Sequence, residues 1–120
     1  METTTGLPKE ELLQLEAELL HSLWYDGAAS VLRLEQRLGR PSAELLEGIE
    51  DLMRREYVYL HWPSLHNPLQ SVYYLTTKLR KKIAAMLKET PRHRMKVFWE
   101  LLCREEEGLP PRDILNAPTV

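Results

Sequence analysis

At 120 residues, with 43% hydrophobic and 28% charged side chains, the chain has the size and composition of one small folded domain. No apolar run approaches the roughly 18 residues of a membrane span, and METTTGLPKEELLQLE lacks the basic start and apolar core of a secretory signal, so a cytoplasmic protein is expected. The single cysteine, Cys103, excludes an intramolecular disulfide and argues against a cysteine-based zinc site.

The net charge of −2 hides an asymmetry. Residues 1–56 hold six basic and twelve acidic side chains, a net of −6, and residues 57–120 hold ten basic and six acidic ones, a net of +4. The positive excess is densest from Lys78 to Lys96. Such a division suits either one nucleic-acid face or complementary faces for self-association.

In chain order, residues 1–7 read as a flexible start. Pro8 suits the first turn of a long helix, in which Leu12, Leu15, Leu19 and Leu23 recur at spacings of three and four, widened by Leu13, Leu20 and Trp24. Asp26-Gly27 ends it. His21, with no second ligand one turn on, reads as a solvated or partly packed histidine. Ala28-Ala29-Ser30 is a short extended segment expected to pair with a later strand. Ser30 then caps a helix with Val31, Leu34 and Leu38 on one face, which Gly39 ends in the left-handed conformation. Pro41 and Ser42 start the next helix, whose Leu45, Leu46, Ile49, Leu52 and Met53 share one side. Gly48 lies within it at a cost of roughly 1 kcal/mol relative to alanine. Spacing alone leaves open whether it allows close packing or is merely tolerated.

From Tyr57 the period becomes two. Val58, Leu60 and Trp62 alternate with Tyr57, Tyr59 and His61, Pro63 to Pro68 interrupts, and alternation resumes from Ser71 to Leu75. Thr76 is positioned to cap a helix that buries Leu79, Ile83, Met86 and Leu87, with Lys78, Arg80, Lys81, Lys82 and Lys88 around the rest. Thr90-Pro91 starts a last helix to about Glu107, with Met95, Phe98 and Leu102 on one face, broadened by Val97, Trp99 and Leu101. Its bases (Arg92, Arg94, Lys96) come first and its acids (Glu105, Glu106, Glu107) last. That order opposes the helix dipole, so tertiary contacts are expected to hold the helix. Cys103 reads as a small buried hydrophobe on this helix, with an intersubunit or redox role as the alternative. Gly108 ends the helix, and LPPRDILNAPTV reads as an extended tail.

A helix-turn-helix followed by a two-stranded hairpin is the winged-helix arrangement. The expected fold is mainly α with a small β-hairpin: a winged helix-turn-helix with long N- and C-terminal helices. Its parts are a flexible N-terminus (1–7), a winged-helix domain (8–88), a C-terminal dimerisation helix (89–108) and an extended tail (109–120).

The run LxxRLGRPSAELLEGIEDLMRREYV and the closing YYLTTKLRKKI resemble the winged helix-turn-helix domain of bacterial transcription regulators of the MarR and PadR kind. The resemblance implies that the second helix of the pair is the recognition helix and that the chain acts as a homodimer on double-stranded DNA. On this reading Arg37, Arg40, Ser42 and Ala43 face DNA from the helix-turn-helix and Ser64, His66 and Asn67 from the wing. Lys78, Lys81 and Lys82 meet phosphates. Leu12, Leu19, Met95, Phe98, Trp99 and Leu102 make the dimer interface.

Two features depart from that family. The second helix carries Glu44, Glu47, Glu50 and Asp51, which oppose the phosphate attraction behind much of DNA affinity, and the wing holds no arginine or lysine. A second reading therefore stays open: a winged helix, or small complex subunit, that contacts a protein through Glu44, Glu47 and Glu50. No phosphate-binding glycine loop, HExxH, paired cysteines or nucleophile elbow is present, so an enzyme, a cofactor and a metal site are not expected.

Overall fold

The computed structural model describes residues 7–89 and 95–106. The elements in order are α1 (Lys9–Asp26), β1 (Ala29–Ser30), α2 (Val31–Leu38), α3 (Ser42–Arg54), β2 (Val58–Trp62), a 3-10 turn (Pro68–Gln70), β3 (Val72–Leu75), α4 (Thr77–Glu89) and α5 (Met95–Glu106). This is the winged helix-turn-helix. Of the expected flexible start at 1–7 all but Leu7, the Thr90-Pro91 cap with Arg92 and Arg94, Gly108 and the tail lie outside the described residues.

Local chemistry sets the element ends. Ser30 Oγ accepts from Arg33 N at 3.1 Å, capping α2. Gly39, at φ 66° and ψ 31°, closes α2 with its N–H on the Glu35 carbonyl. The end of α3 is a Schellman motif: Glu56 N–H reaches the Met53 carbonyl and Tyr57 N–H the Leu52 carbonyl. Glu56 takes the left-handed position there, at φ 66°, where glycine is the usual occupant. Thr76 Oγ1 accepts from Leu79 N at 3.3 Å and donates to the Glu56 carbonyl at 2.9 Å, so one hydroxyl caps α4 and ties it to the end of α3.

The sheet is antiparallel in the order β1-β3-β2. Ala29 pairs with Tyr73 and Ser30 with Val72, so the segment before α2 does join the wing. On the other side Val58 pairs with Leu75 and Leu60 with Tyr73, and a register shift falls between Leu60 and Trp62. Only Val58 of β2 is buried; Tyr59 to Trp62 are exposed on both faces. The alternation of residue types is therefore not matched by an alternation in burial. The cover ends with the core, because β2 is an edge strand and its outer half projects past the helices.

The core joins Leu15, Leu19, Leu20 and Leu23 of α1 to Leu34, Leu45, Ile49, Leu52, Leu75 and Leu79, all fully buried. Gly48 is where α3 crosses α1. A Cβ there would lie 2.9 Å from Leu19 Cδ1 and 3.2 Å from Leu15 Cδ2, so the glycine permits a close helix approach. Helix α5 packs on α1 and buries Met95, Phe98, Trp99, Leu102 and Cys103. Tertiary contacts hold it, as its charge order requires. Leu19, Met95, Phe98, Trp99 and Leu102, read above as interface residues, thus close the core of a single chain, and Leu12 is half-buried beside it.

Candidate nucleic-acid interface

The residues singled out for DNA fall in three places. At the α2–α3 turn, Arg40 makes a two-pronged contact with Glu18 of α1 (Nε–Oε1 2.9 Å, Nη2–Oε2 3.3 Å) and reaches Glu44 Oε1 at 3.2 Å. That pairing holds the Glu18 carboxyl below the ordinary carboxylate range. Arg37 Nη1 donates to Ser22 Oγ at 3.4 Å and lies 4.0 Å from Asp26. Both arginines therefore reach back to α1. Ser42 is half-buried and Ala43 exposed, at a helix start with no capping side chain.

At the wing tip, Ser64 and Asn67 shape the loop. Ser64 N donates to Ser71 Oγ (2.9 Å), Ser64 Oγ accepts from Asn67 N (3.3 Å), and Asn67 Oδ1 accepts from Leu69 N (3.0 Å). His66 is exposed, as are Leu65 at 95% and Trp62 at 69%. The third place is α4. Lys78 Nζ lies 5.0 Å from the centre of the Tyr57 ring, and Lys81 and Lys82 are exposed. Tyr57 precedes the Val58–Leu75 pair that closes the hairpin, so the lysines stand at the base of the wing, away from its tip.

The acids of α3 are largely spent on the chain itself. Glu44 is paired with Arg40, and Glu47 Oε2 accepts from Leu7 N at 3.0 Å. Asp51 accepts from Arg54 Nη2 at 2.7 Å and lies 3.6 Å from Arg55 Nε. Burial alone would raise Asp51, but the hydrogen bond from Arg54 and the charge of Arg55 hold it low. Glu50 remains exposed. The exposed residues of α3 are thus Ala43, Glu50, Met53 and Arg54, with Glu44, Leu46 and Glu47 half-buried beside them.

Behind α3 lies a polar junction that residue spacing did not single out. Glu16 of α1 is 2% exposed. Its Oε1 accepts from Trp99 Nε1 at 3.2 Å, its buried Oε2 has no hydrogen-bond partner, and Asp51 lines the same cavity. Burial and then the Asp51 charge push its pKa up to about 9 from an ordinary 4.5. Arg55 reaches Cys103 Sγ at 3.3 Å and stacks 5.2 Å from the Trp99 ring centre. The available signal was Glu16 falling one turn from Leu13 and Leu20, on an otherwise apolar face. Among the described residues no cluster of histidine, cysteine or carboxylate could hold a metal ion, and no helix is long and apolar enough to cross a membrane.

No protein-family profile matches the chain, and no curated protein is detectably similar to it. Among solved structures, the Zalpha domain of Carassius auratus PKZ in complex with Z-DNA is 20% identical, over 55% of this chain and 98% of that one, with a TM-score of 0.47. An apo double-mutant ZitR from Lactococcus lactis is 13% identical over 82% of this chain and 84% of that one (TM-score 0.47). A point-mutant ZitR is 13% identical over 90% and 79% (TM-score 0.47). At these scores and identities the winged-helix assignment stands on the chain's own topology.

Proposed function

We propose that this chain is a DNA-binding winged-helix regulator of the MarR or PadR kind, working in the cytoplasm as a homodimer and binding without doing chemistry. The start of α3 and the wing would enter successive grooves. One observation carries this reading: Glu44 and Asp51 are paired with arginines of their own chain, which offsets part of the repulsion that the acidic helix posed. Ser42 and Ala43 sit at an uncapped helix start, whose backbone N–H groups suit a phosphate. His66 and Trp62 are open at the wing. Lys78, Lys81 and Lys82 supply the sequence-independent attraction. The apolar stripe of α5 is spent inside the chain, so a dimer contact would use what is left partly open, such as Leu12 and Leu101.

A second reading has its own support. Leu60, Trp62 and Leu65 are exposed on a wing with no lysine or arginine between residues 57 and 75, which suits an apolar protein partner. Salt dependence separates the two. With random duplex DNA, Lys78, Lys81 and Lys82→Ala together should make the plot of log K against log salt shallower by about 2–3 units, equally for all sequences. An unchanged slope removes the lysines from the interface. A wild-type chain that ignores duplex DNA at low salt favours the protein partner.

A further inference from the structure

We propose that the Glu16–Asp51 pair is a proton-dependent latch, in which one shared proton fastens α1 and α5 to the last turn of α3. A carboxylate only accepts hydrogen bonds, so two carboxyl groups can bond to each other only through a proton. The surroundings decide which of them carries it. Asp51 is held as an anion by Arg54 at 2.7 Å and Arg55 at 3.6 Å. Glu16 is 2% exposed, and its Oε2 has no donor of its own, so the latch places the proton on that oxygen, in the cavity that Glu16 and Asp51 both line. The other oxygen takes the indole N–H of Trp99, which brings α5 into the same unit. Arg55 closes the circuit from Asp51 to Cys103 and Trp99.

The charged and titratable groups facing the pair are Lys9 and Glu10 on α1, Arg54 and Arg55 on α3, and Glu100, Cys103 and Arg104 on α5. All but Arg54 line, with Glu16 and Asp51, a cavity of about 330 Å³ beside the pair. When the proton leaves, two anions face each other in a poorly solvated site. Relief comes from opening the α5 side, where the cavity already lies.

The indole N–H of Trp99 is a built-in reporter. In a pH titration of the full chain by proton–nitrogen NMR, its resonance, distinguished from those of Trp24 and Trp62 by Trp→Phe variants, should move through one step on the alkaline side of neutrality. Amides of α5 should exchange faster above that step than base catalysis alone explains. In Glu16→Gln the step should vanish while the indole stays bonded. In Asp51→Asn, where the neighbouring charge is gone, the step should move down by about one pH unit or more. A Trp99 resonance that does not titrate in folded protein, or that titrates identically in Glu16→Gln, overturns the latch. Should Glu16→Gln fail to fold, an unmoved step in Asp51→Asn overturns it alone.

Discussion

Replacing Trp99 by alanine is expected to lower the unfolding free energy by about 3–5 kcal/mol. Trp99 is fully buried, its ring meets Tyr57 edge-on at 5.7 Å, and Arg55 covers one face. Truncation opens a cavity between α1 and α5. It also removes the donor to Glu16, leaving a buried acceptor with no partner. Phenylalanine separates the two losses: Trp99→Phe keeps most of the apolar filling and loses the N–H, so about 1–3 kcal/mol should go. Urea unfolding at a constant m-value measures both. A loss below about 1 kcal/mol for alanine would mean that α5 is not part of the core.

Gly48→Leu should cost about 3 kcal/mol, at the upper end for overpacking. Leu19 and Leu15 are both fully buried and cannot move into solvent to make room. The substitution would push α3 off α1 and take Ser42, Ala43 and Glu47 with it. Gly48→Ala is the informative control. Its added methyl presses on the tip of Leu19, but alanine gains roughly 1 kcal/mol of helix propensity over glycine, so the two should nearly cancel. Thermal or urea unfolding of both variants checks the contrast. Equal, small effects would show that the helices separate at little cost.

Much of the fold was legible because its determinants are local. Leucine spacing set the faces of α1, α2 and α3, Ser30 and Gly39 bounded α2, and a change of period announced the wing. What could not be read is directional and long-range. Arg40 looks like a phosphate ligand in the sequence, yet its partner is Glu18, 22 residues earlier. Glu47 looks like an acid on the reading face, yet it accepts from the backbone of Leu7. Spacing along one helix tells which residues share a face; it does not tell which face meets which neighbour. The same limit hid the meeting of Glu16 with Asp51 and Trp99, drawn from three helices. Nor does alternation tell how far a covering layer reaches: the outer half of β2, an edge strand, runs past it.

The most direct test of the proposed interface is amide shift mapping of the full chain during titration with a random duplex at low salt. The account predicts perturbations at Ser42, Ala43 and Glu50 of α3, at Trp62 to Asn67 of the wing and along Lys78 to Lys82, with the core around Leu19 and Trp99 undisturbed. Shifts confined to α1 and α5, or none at saturating DNA, would contradict it.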